Sequence, residues 1–514
     1  MAFWKHEFRG KTLIYAITAA ACQAFLLLGF DQGVMAGIIG ADNRFGQDFN
    51  RPDPSMQGNI TALYDIGCVL GSIVCYFVGE RFGRRTMLIT GGSIMVVGAA
   101  ILASSSTIAQ LIVGRIVTGI GNGMNSSTAP VYLTECAPPS YRGALLTLQG
   151  TVTILGVVIA YWMDYGTSFT DSSFQWRFPL AFQAIFAVFL VLQIIGLPET
   201  PRWLVQHDRY EEARAVTAAL EDKPLDDSTV NATILEIRMG LEEEQRDGPF
   251  KFRELFTWGE TQNLRRLLIV ISIQLAQQWT GSNMINYYAP VIFQESMLLS
   301  RNLSLILGGA AQCTYLVGSA IPVLLMDRFG RRTLLLSCTV GLCFCFVMVT
   351  ILLSIASPER QGPAYGATAF IFLFQLIYGV GWLPVPWFYP SEISTTRTRT
   401  KMQAIASGFN WMFVFVVVKI TPISFASIGW RTFIIFAILN AAFIPMVYFF
   451  YPETKGITLE DIPLLFHKGG VTGGVLTSKG GRTVVPHQHA VEAHVEEKMG
   501  ERKEHGFVDE TEKV

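Results

Sequence analysis

The chain of 514 residues is 51% hydrophobic, only 15% of it is Asp, Glu, Lys or Arg, and its mean hydropathy is +0.38, against about 25% charged in an average soluble protein. Its 39 basic and 40 acidic residues leave a net charge of -1, so no overall bias points to DNA, RNA or an acidic partner. Apolar runs of about twenty residues, each long enough to cross about 30 Å of hydrocarbon, recur along the chain and argue against soluble, secreted and nucleic-acid-binding classes.

In chain order, charges, Pro and Gly place helical spans near 12–39, 59–79, 86–105, 108–132, 143–163 and 176–197, and then near 267–290, 304–326, 333–355, 364–390, 401–425 and 430–451. The first of these runs on too long to be a cleaved leader. The pattern predicts an all-α membrane protein of twelve transmembrane helices in two six-helix halves, residues 1–197 and 267–455. The intervening 198–266 carries EEARAVTAALEDKP and ILEIRMGLEEEQRDG, whose charge and helical spacing predict short linker helices at the cytoplasmic surface. Residues 456–514 are too poor in apolar side chains to offset their ordering entropy and predict a disordered cytoplasmic tail. The eight cysteines lie almost wholly in apolar segments, where free Cys behaves as a small hydrophobe, so no disulfide framework is expected.

Lys and Arg in short loops are retained on the cytoplasmic side. Arg81, Arg84 and Arg85 follow span two, Arg328, Arg331 and Arg332 follow span eight, and Arg397, Arg399 and Lys401 follow span ten. With twelve spans all three loops share one side, so both termini are expected in the cytoplasm and the 41–58 loop outside.

GERFGRRTML, from Gly79 to Leu88, recurs as MDRFGRRTLL, from Met326 to Leu335. PET recurs at Pro198 and Pro452, and Glu135 pairs with Glu392, at nearly the same offset. The halves are therefore a duplication. Two such halves about an axis along the membrane normal leave a cavity between them, where a carrier binds its substrate.

Together with PETPRWL (Pro198 to Leu204), QQWTGSNMINYY (Gln277 to Tyr288), PVPWFYPSEI (Pro384 to Ile393) and PETKG (Pro452 to Gly456), these loops resemble the sugar porters of the major facilitator superfamily over about residues 12–460. FDQGVMAGIIG (Phe30 to Gly40), IAYWMDYG (Ile159 to Gly166) and QWRFP (Gln175 to Pro179) are similar, more narrowly, to fungal hexose, pentose and polyol porters and, among those, to the glycerol/proton symporter branch.

Asp31 is ionisable inside an apolar span, an expensive placement that marks function by default. It lies about eight residues from the outer end of span one and Arg115 about seven from that of span four, so at about 1.5 Å per residue their depths match. An adjacent guanidinium favours the charged carboxylate; if the two part, the lone buried carboxylate takes a proton. Proton-coupled members of the resembled family have an acid at the Asp31 position. The alternative is a static ion pair that fixes helix packing.

A polyol presents hydroxyls that both donate and accept, and uncharged amides answer both needs. Gln277, Gln278, Asn283 and Asn410 all fall near mid-membrane. The resemblance implies that these amides and Trp387 contact sugar; helix–helix hydrogen bonding is the bland alternative. Two positions depart from the family. Its span-five glutamine falls on Gly150, with Gln149 about 100° round the helix, and its span-eight asparagine falls on Tyr315, leaving fewer directional contacts and fitting a pentose, a polyol or glycerol as well as glucose. Asp65 in span two is either a second proton site or a residue satisfied by a neighbouring Tyr or Thr.

Glu80, Arg81, Arg84, Arg85, Glu135, Arg142, Glu199 and Arg202 in the first half match Asp327, Arg328, Arg331, Arg332, Glu392, Arg399 and Glu453 in the second. They are expected to latch the cytoplasmic gate through charge-assisted pairs that break as the carrier opens inward. Lys419 reads as a snorkelling side chain, and GIGNG (Gly119 to Gly123) as close helix packing. Asn302 and Asn231 fit the glycan-acceptor pattern without a convincing context. The tail histidines form no expected metal site, and no nucleophile–base set or nucleotide motif occurs, so neither enzyme activity nor a cofactor is expected. The sequence reading is a plasma-membrane proton symporter for a monosaccharide or polyol, functional as a monomer. A facilitative uniporter is the first alternative. A transport-inactive sugar sensor is the second, disfavoured by the short tail and the intact site motifs.

Overall fold

A computed structural model describes residues 8–39, 43–138, 142–246, 251–258, 262–297, 299–357, 359–455 and 466. The expected tail lies outside these residues apart from Phe466, as do the side chains of Arg142 and Asp327. The described residues are almost wholly helical, with no strand beyond an isolated Ser357–Arg360 bridge.

The first half comprises α1 (Gly10–Ile38), the short α2 (Arg44–Asp48), α3 (Pro54–Phe82), α4 (Arg84–Ala103), α5 (Ile108–Cys136), α6 (Arg142–Thr167) and α7 (Phe174–Ile195). Surface helices α8 (Pro201–Gln206), α9 (Tyr210–Glu221) and α10 (Ser228–Arg246) follow, then a 3-10 turn at Phe252–Phe256. The second half comprises α11 (Asn263–Trp279), α12 (Ser282–Glu295), α13 (Arg301–Ala320), α14 (Pro322–Phe329), α15 (Arg331–Ser354), α16 (Gly362–Gly381), α17 (Val385–Ile393), α18 (Thr396–Ile428) and α19 (Thr432–Phe450).

Nine segments among the described residues are long and apolar enough to cross a membrane, and one of them, Lys401–Phe450, carries both α18 and α19. α5 and the α11–α12 pair, whose embedded amides and Arg115 dilute their hydropathy, complete the twelve crossings. Three spans expected as continuous are broken. Gly281, at φ +100°, separates α11 from α12, and a Cβ there would stand 2.9 Å from the Phe346 ring. Pro322 begins α14, and the Leu383-Pro384 step divides α16 from α17, because proline cannot supply the N–H that continues a helix.

Glycines set the helix contacts inside the first half. A Cβ on Gly29 would fall 1.8 Å from the Thr153 carbonyl oxygen and one on Gly156 2.2 Å from that of Leu26, so α1 and α6 meet backbone to backbone. The expected close packing at GIGNG is present: Cβ atoms on Gly119 and Gly123 would lie 2.2 Å and 2.1 Å from the carbonyl oxygens of Tyr64 and Cys68 on α3. Between the halves, α3 runs along α18, α6 along α13 and α1 against α12. The surface helices share the face of the RFGRR loops, where Trp203 Nε1 donates to the Glu80 carbonyl at 2.7 Å.

Candidate functional site: a buried ion pair beside an amide cluster

The matched depths of α1 and α5 bring Asp31 and Arg115 into contact. Arg115 Nη1 lies 2.8 Å from Asp31 Oδ1, and both side chains are 0% exposed. The guanidinium also reaches the Asp31 and Thr61 carbonyls, each at 3.4 Å, and stands 4.4 Å from the centroid of the Tyr64 ring. The Tyr64 hydroxyl accepts from Asn122 Nδ2. Asp65, one residue on, is fully buried, and neither of its carboxylate oxygens has a hydrogen-bond partner among the described residues. Thr61, one turn away, does not satisfy it, since Thr61 Oγ1 donates to the Gln57 carbonyl, and the Tyr287 hydroxyl near it on α12 is likewise buried without a hydrogen-bond partner among the described residues.

The amides of the second half form one chain of hydrogen bonds. Asn410 Nδ2 donates to both Gln277 Oε1 and Gln274 Oε1 at 2.7 Å, Gln278 Nε2 to Gln277 Oε1 at 3.3 Å, and Asn283 Nδ2 to Gln278 Oε1. Gln277 Nε2 is held by the Trp382 carbonyl at 2.9 Å, one of the groups freed by the α16–α17 break. Trp387 sits half-buried on α17, and its neighbour Pro386 accepts from Gln274 Nε2 at 2.7 Å. Polar groups at this depth need partners, and here the binding candidates supply them to one another.

Trp411, which follows Asn410, meets the Tyr64 ring edge-on with centroids 6.5 Å apart. One aromatic contact therefore joins the ion pair of the first half to the amide hub of the second.

At the first unusual position, a Cβ on Gly150 would find nothing within 4 Å, so α6 is open there. At the second, Tyr315 packs against Tyr378 with ring centroids 5.7 Å apart, and the Tyr378 hydroxyl donates to the Gln277 carbonyl at 3.3 Å. Sequence reasoning missed Gln274 and a second group of amides, in which Gln375 Nε2 donates to Asn286 Oδ1 at 2.8 Å and to Gln312 Oε1 at 3.5 Å. The available signal was the lone amide of FIFLFQLIYG, which is as unusual in an apolar span as Gln277.

On the RFGRR face the duplication extends to individual hydrogen bonds. Gly83 and Gly330 adopt nearly the same left-handed backbone, φ 87° and 88°. Glu199 then accepts from the Arg84 and Arg85 N–H groups at 3.1 Å and 3.0 Å, and Glu453 from those of Arg331 and Arg332 at 2.9 Å and 3.1 Å. Each carboxylate thus caps a helix N-terminus. Burial pushes the Glu199 carboxyl above the usual carboxylate value, while those N–H groups pull it back. Arg84 pairs with Glu135 at 3.0 Å and Arg331 with Glu392 at 2.9 Å. Arg85 and Arg332 donate to carbonyls at the ends of α7 and α19, and Arg399 Nε donates to the Ser391 carbonyl. The Glu80 side chain is exposed.

These pairs lie inside each half rather than between halves, because the copied sequence places acid and base together within each copy. Lys419 does not snorkel: its ammonium donates to the Ser55 carbonyl at 3.0 Å, to Ser55 Oγ at 3.4 Å and to Asn59 Oδ1. The eight cysteines are free, and the described residues contain no cluster suited to a metal ion.

Helices in two matched halves, with a polar centre where they meet, define a membrane carrier. The chain belongs to the family described as sugar (and other) transporter, whose profile matches residues 16–466, within the major facilitator superfamily. It is 40% identical to the MFS-type transporter oryC of Aspergillus oryzae over 459 residues, covering 88% of this chain and 85% of that protein. It is 38% identical to the sugar transporter STL1 of Saccharomyces cerevisiae over 472 residues, 89% of this chain and 82% of that one. Its fold is that of the proton:xylose symporter XylE, with a TM-score of 0.73 at 23% identity over 89% of this chain and all of the other. The expected superfamily and twelve-helix fold are thereby established, and the chain is a multi-pass transporter rather than an enzyme.

Proposed function

We propose that this protein takes up a monosaccharide or polyol together with a proton across the plasma membrane, by alternating access, with both termini in the cytoplasm. The observation that carries this reading is the Arg115–Asp31 pair, 2.8 Å apart and wholly buried, coupled through Tyr64 and Trp411 to the amide hub. Removing one partner of such a pair leaves an uncompensated charge that costs on the order of several kcal/mol, and protonation of Asp31 relieves that cost.

With no substrate, the hub amides satisfy one another. Sugar hydroxyls, which donate and accept, replace those bonds one for one. Displacing Asn410 moves Trp411, the Tyr64 ring it meets, and the guanidinium stacked on that ring. The motif ion pairs hold α4 to α5 and α15 to α17, so that each half rocks as a body around the site and the gate on that face opens between halves. Relatives named as a sugar transporter and as glucose transporters support the substrate class.

The test is uptake of labelled glucose, xylose, arabinose and glycerol in a transport-null yeast, with external alkalinisation recorded for wild type and Asp31→Asn. Substrate-driven alkalinisation that disappears in the variant while downhill exchange survives is the expected result. Uptake without alkalinisation, indifferent to the substitution, would replace the reading with a facilitator.

A further inference from the structure

Asp65 lies one residue from Tyr64 and one helical turn from Thr61, both of which touch the Arg115 guanidinium. It is fully buried, with both oxygens lacking a hydrogen-bond partner among the described residues. The charged groups that face it are Arg115 from α5 and Asp31 from α1. The other titratable groups around it are Tyr287 and Tyr288 from α12 and Cys68 from its own helix. α18 brings Trp411 to this level, and its two ammoniums only to the ends of α3, Lys419 to Ser55 and Lys401 to the Tyr76 ring. α4 brings Arg84 and Arg85 at the opposite end of α3, where Glu135 and Glu199 engage them.

One guanidinium therefore serves two acids, and it is already committed to Asp31. A second ionised carboxylate, buried and without a donor, is among the most costly placements in a membrane interior. The set balances electrically when Asp65 carries a proton.

We propose that Asp65 and Asp31 form a two-acid exchange around Arg115. Asp65 holds the proton while Arg115 is on Asp31, and it takes Arg115 while the proton is on Asp31. In the exchange Asp65 loses one proton as the guanidinium arrives and Asp31, vacated, gains one, so the net charge of the buried set never changes. The proton leaves Asp31 for the opposite side when Arg115 returns, and Asp65 is reprotonated from the first side. This inference rests on the proton-coupled reading above and adds to it the group that loads the proton.

The experiment uses the full chain in proteoliposomes with whichever of labelled glucose, xylose, arabinose or glycerol it transports. Sugar-driven proton flux and sugar counterflow are measured for wild type, Asp31→Asn, Asp65→Asn and Asp65→Ala. Asn has the shape of the protonated acid, so Asp65→Asn is expected to fold and keep counterflow while proton flux per sugar falls at least tenfold. Infrared spectra of the wild type at neutral pH are expected to contain a buried carboxylic-acid C=O band that Asp65→Asn removes. Wild-type flux that Asp31→Asn abolishes and Asp65→Asn leaves unchanged would overturn this inference alone. Absence of flux in the wild type would overturn the symport reading and the exchange with it. Should neither Asp65 variant fold, the spectra of the wild type and of Asp164→Asn, which removes another buried carboxyl, decide: no protonated carboxyl at neutral pH, or a band that Asp164→Asn removes entirely, overturns the exchange, and a band that survives Asp164→Asn and exchanges slowly with heavy water supports it.

Discussion

The ammonium of Lys419 stands 3.0 Å from the carbonyl oxygen of Ser55, tying α18 of the second half to the first turn of α3. A Cβ on Gly58 would come 2.8 Å from the Lys419 carbonyl oxygen, so this glycine is what lets the two helices approach. Lys419→Ala is predicted to weaken closure of the face opposite the RFGRR loops by about 1.5–3 kcal/mol, the usual range for a charged hydrogen-bond donor. Maleimide labelling of a Met56→Cys reporter is expected to speed up correspondingly. Labelling at the parent rate would show that the contact does not close that face.

Gln277→Ala removes the acceptor shared by Asn410 and Gln278 and a candidate sugar contact. The expected effect is a KM raised about tenfold to a hundredfold, from about 1–3 kcal/mol of lost hydrogen bonding, with normal amounts of protein at the cell surface. Unchanged uptake kinetics would remove Gln277 from the site.

Tyr64 is predicted to be the joint between the two halves of the mechanism. Tyr64→Leu keeps bulk but loses the ring that Arg115 and Trp411 share, and it should lower the number of protons moved per sugar more than it lowers sugar exchange. Tyr64→Phe keeps the ring and should retain most of the coupling. Equal behaviour of the two variants would count against the aromatic link.

Gly83→Ala and Gly330→Ala should each destabilise the detergent-solubilised protein, and by similar amounts. A Cβ would stand 2.4 Å from Glu199 Oε2 in one case and 2.6 Å from Glu453 Oε2 in the other, on backbone that L-residues rarely adopt. Left-handed strain of this kind costs on the order of 1–3 kcal/mol. Thermal unfolding measures it, and two very different shifts would show that the copies are not energetically equivalent.

The spans were legible because hydrocarbon thickness imposes a length and an apolar composition, and the Asp31–Arg115 contact because rise per residue fixes depth. The breaks at Gly281 and around Pro384 were less legible, since glycine and proline are tolerated inside membrane helices when neighbouring groups take up the freed backbone. Gln277 does so for the Trp382 carbonyl. The partners of Lys419 and the lack of hydrogen-bond partners for Asp65 among the described residues depend on where α18 and α5 lie against α3, which one-dimensional spacing does not encode. The motif charges signalled paired interactions, but only the packed halves show that Arg84 chooses Glu135 and Arg331 chooses Glu392.

Those two ion pairs, each enclosed in its own copy, bear on how the chain can be built. Both braces are closed by residues on either side of the connection from α10 to α11, Arg84 with Glu135 before it and Arg331 with Glu392 after it. A gene cut there would yield two polypeptides, each able to tie its own helix ends, with α3 and α18, and α6 and α13, as the surfaces on which they find each other. The connection between the halves then acts chiefly to keep two matched parts at one another's disposal.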